Sequence, residues 1–88
     1  MAARFDNKVV LVLGGNSGIG RAAALAFAAE GGQLVITGRD PRTLEAVSQE
    51  LGGNALAIRA DIGDLAGTDE VVRQVRERHG RVDVLFVN

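Results

Sequence analysis

The 88-residue sequence contains no cysteine and no tyrosine, and its three aromatic residues are all phenylalanine. Without cysteine, a disulfide framework, a thiolate zinc site and a cysteine nucleophile are excluded. With so few aromatic residues, the core must be mainly aliphatic. The net charge of −1, with both signs interspersed, provides no basic surface for nucleic acid or an anionic membrane. We therefore expect a protein that does not bind nucleic acid.

Long apolar segments are also absent. The longest apolar run near the N-terminus covers only residues 9–13, which is too short to span a membrane, and Asp6 before it argues against a signal peptide. The only histidine, His79, has no partner that would suggest a metal site. We expect a soluble, cytoplasmic protein with no membrane partner and no metal, in which residues 1–88 form one domain.

Short β-branched runs alternate along the chain with segments of helical periodicity. The run at 9–13 is continuously apolar, which is typical of a strand covered on both faces. The predicted strands are 9–13, 33–37, 55–60 and 82–87, and the predicted helices are 19–30, 41 to about 51, and 64 or 68 to 79. Glycine pairs follow the first two helices and end them.

The two later helices carry signals for their start and for their inner face. Asp40 is placed to cap the second helix, with Pro41 at its first position. The third helix could begin near Asp64 or near Thr68, because Gly67 weakens its first turn. Helical spacing predicts that two apolar stripes face the sheet, namely Leu44, Val47 and Leu51 in the second helix and Val71, Val72 and Val75 in the third.

This alternation predicts an α/β fold of the Rossmann type. Strand–helix–strand units imply a parallel sheet with right-handed crossovers, here the N-terminal half of a doubly wound sheet with strand order 3-2-1-4. The last strand, 82–87, would be an uncovered edge strand. We therefore expect the isolated 88-residue chain to be marginally stable, aggregation-prone or oligomeric.

A glycine-rich loop, Gly14-Gly15-Asn16-Ser17-Gly18-Ile19-Gly20, lies between the first strand and the first helix. A helix N-terminus with free N–H groups favours an anion, and glycines let a pyrophosphate approach the backbone. A P-loop is disfavoured, because Arg21 and Ala22 stand where that motif needs lysine and a hydroxyl residue. The spacing G-x-G-x-x-G is absent too; the glycines read Gly14-x-x-x-Gly18-x-Gly20.

That spacing resembles the cofactor loop T-G-x-x-x-G-x-G of the short-chain dehydrogenase/reductase family, and the resemblance covers the whole chain. Asp61-Ile62 is similar to the family's adenine-pocket dipeptide. Residues 83–88 resemble the stretch that leads into its N-N-A-G motif, cut off after the second asparagine. Two positions depart from the pattern, since Val87 replaces the first asparagine and Leu13 replaces the threonine before the first glycine.

The resemblance implies a set of cofactor contacts. Gly14, Gly18 and Gly20 would line the pyrophosphate, with further contacts from Asn16, Ser17 and Ile19. Asp61 would accept a hydrogen bond from the adenine amino group, and the Ile62 backbone would contact the ring; alternatively, Asp61 is a loop residue or a helix cap. Asn88 would lie beside the adenosine ribose or brace the sheet. Leu13 lacks the hydroxyl that ties the loop, so we expect a somewhat looser loop.

The tip of the second strand favours NADP(H) over NAD(H). A protein that binds NAD places Asp or Glu about 20 residues beyond the glycines, where it binds the ribose 2′-OH. Here Gly38 occupies that position and Arg39 follows. Glycine leaves room for a 2′-phosphate, and a guanidinium can bind it bidentately. Arg21 and Arg42 are possible auxiliaries, whereas the family's second basic marker falls at Ser17 and is absent; Arg39 could also be an ordinary solvated arginine.

By resemblance, the function is hydride transfer between a nicotinamide and an alcohol or carbonyl substrate. The family's catalytic serine and Y-x-x-x-K motif have no counterpart here, because the chain has no tyrosine and its one lysine, Lys8, precedes the first strand. We assign no catalytic residue and expect the 88 residues alone to be inactive. They would be the truncated cofactor-binding part of a larger, homo-oligomeric oxidoreductase. The alternatives are a non-catalytic NADP-binding sensor and a non-functional fragment.

Overall fold

A computed structural model describes residues 4–16 and 18–88, which form four strands and three helices. The elements in chain order are β1 (Val9–Leu13), α1 (Gly18–Ala29), β2 (Gln33–Gly38), α2 (Pro41–Glu50), β3 (Leu56–Arg59), α3 (Leu65–Arg78) and β4 (Val84–Val87). Every predicted element is present, and most ends lie within a residue or two of the predicted ones.

The four strands form one parallel sheet in the order β3-β2-β1-β4, as predicted. In the middle of the sheet, Val10 lies opposite Leu34 on one side and Val84 on the other. The carboxyl ends of all four strands consequently meet at one edge of the sheet. In a doubly wound fold, this edge is where ligands bind.

Alternate residues of the central strands enter two separate cores, one on each face of the sheet. Val10 and Val12 pack with residues of α1 and α2, whereas Val9 and Leu11 pack with residues of α3. The helix stripes were predicted correctly except at Val72, which is 49% exposed. Val72 is one residue, or about 100° of helix rotation, beyond the buried Val71, so it lies at the margin of the buried face and not at its centre.

Both later helices begin at an aspartate cap. Asp40 Oδ1 accepts a hydrogen bond from the Arg42 amide at 2.9 Å, as predicted, and Asp64 Oδ1 accepts one from the Ala66 amide at 3.1 Å. The third helix therefore begins after Asp64 and not near Thr68. Gly67 has a packing role in that first turn, because a Cβ there would lie 2.3 Å from the Asp61 carbonyl oxygen.

The three phenylalanines form a small cluster beside the aliphatic core. Phe27 of α1 meets Phe5 edge-to-face at a centroid distance of 4.9 Å and Phe86 of β4 at 6.5 Å. Such pairs add to the stabilisation that burial provides. The cluster joins the segment before β1 to α1 and to the edge strand β4.

Strand β4 begins at Val84, two residues later than predicted. Just before it, Asp83 donates its amide N–H to the Val9 carbonyl at 2.8 Å, and its carboxylate accepts the Val9 amide at 2.7 Å. Leu85 and Val87 of β4 point to the α3 side of the sheet and are 58% and 68% exposed. Within 4–16 and 18–88, no helix has the length and apolar character needed to cross a membrane.

Candidate functional site

An open cleft of about 620 Å³ lies at the carboxyl edge of the sheet. Its walls come from the ends of all four strands and the loops that follow them. Seven of the predicted site residues line it: Gly14, Asn16, Gly38, Arg39, Asp61, Ile62 and Asn88. These residues are far apart in the sequence and meet only because parallel strands end at a common edge.

The remaining predicted contacts belong to the start of α1. Gly18, Ile19 and Gly20 form its first turn, and Ile19 is 71% exposed. No acidic residue lies in that turn, so the positive end of the helix dipole is not neutralised there. Ser17 lies outside the residues that the structure describes.

The three motif glycines are needed for different reasons. Gly20 allows close packing of α1 on β1, because a Cβ there would lie 2.0 Å from the Gly14 carbonyl oxygen. Gly18 has a left-handed φ of 57°, and no atom of the described chain lies within 4 Å of its hypothetical Cβ. Gly14 also has a positive φ, 77°. The loop therefore combines a tight turn with an approachable backbone.

Thr37 of β2 fastens the beginning of this loop. Its hydroxyl accepts the Gly14 amide at 3.1 Å, and its carbonyl accepts the Gly15 amide at 3.0 Å. Thr37 is completely buried. We expected a looser loop because Leu13 lacks a hydroxyl. The two hydrogen bonds to Thr37 of the neighbouring strand compensate for that loss. Sequence reasoning missed these bonds, although a threonine within a buried apolar strand is itself a signal for a hydrogen-bonded role.

Asn88 braces the same loop from the other side. Its side-chain Nδ2 donates to the Gly14 carbonyl at 3.2 Å, and its backbone amide donates to the Leu13 carbonyl at 3.2 Å. The side-chain contact braces the loop, whereas sequence reasoning had offered contact with the ribose or bracing of the sheet. Since Asn88 also lines the cleft, contact with a bound ribose remains compatible with the geometry.

The space beside Gly38 is filled by Asn16. A Cβ at Gly38 would lie 2.5 Å from Asn16 Cγ and 2.7 Å from both the nitrogen and the oxygen of that amide. Asn16 Nδ2 also donates to Thr43 Oγ1 of α2 at 2.8 Å. Glycine at 38 was predicted to leave room for a 2′-phosphate. The structure adds that the space beside its Cα holds the Asn16 side chain, which would have to shift if position 38 carried a Cβ.

Two arginines lie at the β2–β3 end of the cleft. Arg39 is exposed at the tip of β2, and Arg59 Nε donates to its backbone carbonyl at 3.2 Å. Together with Ala60 and Asp61, they line a depression of about 470 Å³. Arg59 was not predicted, because a single arginine at the end of a weak strand gives no signal in the sequence.

The two arginines named as auxiliaries do not line the cleft. Arg21 is bound to Glu50 of α2 through two hydrogen bonds, which lower the pKa of the Glu50 carboxyl. Arg42 uses its backbone amide for the Asp40 cap. Arg21 is thus engaged between α1 and α2, on the outside of the molecule.

Asp61 has a structural role as well as a place in the cleft. Its Oδ1 accepts the Gly63 amide at 2.9 Å, and its carbonyl accepts the Asp64 amide at 3.0 Å, which shapes the turn into α3. Its Oδ2 has no hydrogen-bond partner among the residues that the structure describes, and Ile62 beside it is 36% exposed. One carboxylate oxygen is therefore left for a ligand.

No group of three or more His, Asp or Glu side chains within the described ranges could hold a metal ion. His79 ends α3, where its amide donates to the Val75 carbonyl. Burial, with the charges of Arg78 and Arg81, lowers the pKa of its imidazole.

The cleft and the depression beside it offer backbone amides, guanidinium groups and a carboxylate. This set of groups is suited to a phosphate-containing nucleotide.

Comparisons with known proteins agree with this chemistry. The family model described as short chain dehydrogenase matches residues 8–88. Meso-2,3-butanediol dehydrogenase of Serratia marcescens is 38% identical over 86 residues, covering 97% of this chain and 34% of that protein. The chain thus spans about a third of the length of this curated relative.

Solved structures show the same likeness. The 3-ketoacyl-(acyl-carrier-protein) reductase of Brucella melitensis, complexed with NADH, superimposes with a TM-score of 0.86 at 40% identity, over 91% of this chain and 33% of that one. L-sorbose reductase of Gluconobacter frateurii, complexed with NADPH and L-sorbose, gives a TM-score of 0.91 at 32% identity, over 97% and 34%. One of these two proteins was solved with NADH and the other with NADPH.

Proposed function

Since the chain belongs to the short-chain dehydrogenase family, we propose that it is the cofactor-binding part of an NADP(H)-dependent oxidoreductase. The observation that carries the proposal is the cleft at the carboxyl edge of the sheet, where the glycine loop and Arg39 lie together. A nicotinamide dinucleotide is the ligand class bound by relatives in this family. The preference for NADP(H) rests on the charges at the tip of β2.

The glycine loop and the start of α1 are proposed to hold the pyrophosphate. The fit is supported by the open surroundings of Gly18, whose backbone an anion can approach, and by the absence of acidic residues in the first turn of α1. Gly20 brings the helix end close to the strand. Both the free N–H groups and the helix dipole favour a negative group at this position. Ser17 and Ile19 are proposed to add contacts from the same loop.

The opposite wall of the cleft is proposed to receive the adenosine. Asp61 keeps one carboxylate oxygen without a hydrogen-bond partner in the described chain. This supports the proposal that it accepts a hydrogen bond from the adenine amino group. Ile62 presents an apolar side chain next to it. Asn88 and Gly14 close the wall nearest the ribose, and their mutual hydrogen bond keeps this wall fixed.

Arg39 and Arg59 support the preference for a 2′-phosphate. No carboxylate stands at position 38, so nothing there repels the phosphate or binds a 2′-OH in its place. The hydrogen bond from Arg59 to the Arg39 carbonyl places a second guanidinium beside the Arg39 backbone, and both residues line the same depression. Two guanidinium groups can bind a phosphate through charge-assisted hydrogen bonds, which are stronger than neutral ones.

The reaction proposed for the whole protein is hydride exchange with an alcohol or carbonyl substrate. When bound, the nicotinamide supplies or accepts the hydride. The residues of this chain bind and orient the dinucleotide; we assign none of them to proton transfer, because the chain contains no tyrosine. Its contribution to catalysis is therefore proposed to be positional.

Binding of NADPH and NADH to wild type and to Arg39→Gln tests the proposal. Loss of a charge-assisted hydrogen bond should weaken NADPH binding by about tenfold or more. NADH binding should change by less than about twofold, because NADH lacks the phosphate that Arg39 binds. Isothermal titration calorimetry measures both affinities without requiring a substrate.

Arg76→Gln is the matched control, since it removes the same charge from the exposed face of α3. It should leave the affinity for both coenzymes unchanged. Equal weakening of NADPH and NADH in Arg39→Gln would contradict the preference for NADP(H). Failure of the wild-type protein to bind either coenzyme would contradict the proposed function as a whole.

A further inference from the structure

We propose that Asn16, held over Gly38 by Thr43, is a further specificity-determining residue of this chain, because its side chain opposes a carboxylate at position 38. The inference rests on the proposed function and adds a specificity-determining residue to it. In this arrangement, the space next to the Gly38 Cα is occupied by the Asn16 side chain. Any other residue at position 38 requires that side chain to shift.

The steric argument is direct. Carbon atoms in van der Waals contact are about 3.5–4.0 Å apart. A Cβ at position 38 would lie 2.5 Å from Asn16 Cγ and 2.7 Å from the oxygen and nitrogen of that amide. Any side chain at this position, including the aspartate that would bind a ribose 2′-OH, must first displace Asn16.

Displacement of Asn16 is opposed by a chain of two hydrogen bonds. Its Nδ2 donates to Thr43 Oγ1 at 2.8 Å, and the Thr43 hydroxyl in turn donates to the Asp40 carbonyl at 3.2 Å. Thr43 lies in the first turn of α2, which the Asp40 cap and Pro41 fix at the end of β2. The side chain of Asn16 is thus attached to the element that follows Gly38, although it belongs to the glycine loop.

This attachment joins two parts of the cofactor site. The Asn16–Thr43 hydrogen bond links the loop proposed to bind the pyrophosphate to the helix that follows the strand tip proposed to bind the ribose. A substitution at 38 therefore disturbs the pyrophosphate loop as well as the ribose end. The consequence is that Gly38→Asp alone cannot convert the protein to NAD(H).

A double-mutant cycle on the full chain tests this inference, with wild type, Asn16→Ala, Gly38→Asp and the double variant titrated with NADPH and NADH. Gly38→Asp should weaken NADPH by about tenfold or more and should not improve NADH. Adding Asn16→Ala should improve NADH by about fivefold or more over Gly38→Asp, as expected when one hydrogen-bonded obstruction is removed. The double variant should then bind NADH more tightly than NADPH.

Thr43→Val in the Gly38→Asp background provides an independent test, because it removes the hydrogen bond that holds the Asn16 side chain and leaves Asn16 itself in place. It should also improve NADH binding relative to Gly38→Asp alone. Circular dichroism of each variant reports whether the fold is retained. If the Gly38→Asp variant, with Asn16 and Thr43 intact, bound NADH tenfold more tightly than wild type, the inference would be overturned. A folded double variant with no gain would overturn it too, whereas wild type that binds neither coenzyme overturns the proposed function itself.

Discussion

Thr37 is the residue whose side chain most directly connects the core to the glycine loop. It is completely buried in β2, and its hydroxyl accepts the Gly14 amide. Position 13 is leucine, so no hydroxyl there can form a hydrogen bond within the loop. The hydrogen bond to Thr37 instead holds the loop to the neighbouring strand. The loop conformation therefore depends on β2 as much as on β1.

Replacing Thr37 by valine keeps the shape of the side chain and removes the acceptor. The half-buried Gly14 amide then loses its partner, so the free energy of unfolding should fall by about 1 kcal/mol. NADPH binding should also weaken, because the loop is less well ordered before binding. Urea denaturation and NADPH titration measure the two effects.

Thr68→Val serves as the control, since the single Thr68 hydroxyl hydrogen is shared between the Ile62 and Asp64 carbonyls, each at a long 3.3 Å. It should change the free energy of unfolding by less than about 0.5 kcal/mol. If Thr37→Val were as stable as wild type and bound NADPH equally well, the proposed role of the hydroxyl would be wrong.

At the residue scale, the sequence predicted which residues line the cleft better than what they do there. Gly38 was interpreted as leaving room for a 2′-phosphate, because a sequence shows that a side chain is missing and not which neighbour lies beside the position. The neighbour is Asn16, and the contact depends on side-chain rotamers and on how α2 meets β2. The bonds of Asn16 to Thr43 and of Arg59 to the Arg39 backbone could not be predicted for the same reason.

At the element scale, Asp83 determines where β4 joins the sheet. Its carboxylate accepts the Val9 amide at 2.7 Å and the Arg81 Nε at 2.9 Å, so it stands in for a strand carbonyl at the start of the β1–β4 pair. The Val9 bond, assisted by Arg81, lowers the pKa of Asp83 below its ordinary value of 3.8. A carboxyl with a lowered folded-state pKa stabilises the fold above its unfolded pKa, and this contribution is lost as the pH falls through the folded pKa.

Asp83→Asn should therefore destabilise the protein at pH 7, and by a smaller amount at about pH 3, which lies below the ordinary pKa of 3.8. The asparagine oxygen can still accept the hydrogen bond from the Val9 amide. The difference in stability between wild type and Asp83→Asn therefore reports the effect of the carboxylate charge. Urea midpoints of wild type and variant at the two pH values measure it. Glu70, whose pKa is lowered to about 2 by hydrogen bonds from Arg73 and Gln74, is present in both proteins and cancels in the comparison.

Asp69→Asn removes the same charge from an exposed position on α3 and should leave the pH dependence close to that of wild type. A constant stability difference between Asp83→Asn and wild type from pH 7 to pH 3 would show that the carboxylate charge has no part in fixing β4.

The helices and strands were predictable because apolar periodicity decides which face is buried. Val71 and Val75 are four residues apart and lie on the buried face of α3, whereas Val72, although three residues from Val75, lies at the margin of that face and is half exposed. Helical spacing does not show how far the sheet extends over the flank of the helix, so the assignment of Val72 to the buried stripe was wrong. Gly67 was interpreted as a weak point of the helix, because its close approach to Asp61 is a tertiary contact that the sequence does not show.

At the scale of the whole molecule, one side of the sheet is less well covered than the other. Among the helices that the structure describes, α1 and α2 pack on one face and α3 alone packs on the opposite one. Five apolar side chains remain exposed along α3, the turn before β4 and β4 itself: Leu65, Val72, Val82, Leu85 and Val87. Exposed apolar patches of this kind promote association.

The 88-residue chain should accordingly associate as its concentration rises, and Leu85→Lys should reduce that association. Sedimentation velocity over a range of concentrations measures it. Gln49→Lys places the same charge on the exposed side of α2 and should not have this effect. A wild-type chain that stays monomeric at high concentration would contradict the expectation drawn from the exposed strand.

The central claim is that a nicotinamide dinucleotide binds at the carboxyl edge of the sheet, and amide NMR of the ¹⁵N-labelled chain during NADPH titration tests it most directly. The account predicts saturable shifts concentrated at the amides of Gly14, Gly18, Arg39, Asp61 and Ile62. It is contradicted by the absence of shifts at high NADPH concentration, or by shifts concentrated at the opposite edge of the sheet around Gly32, Asn54 and His79.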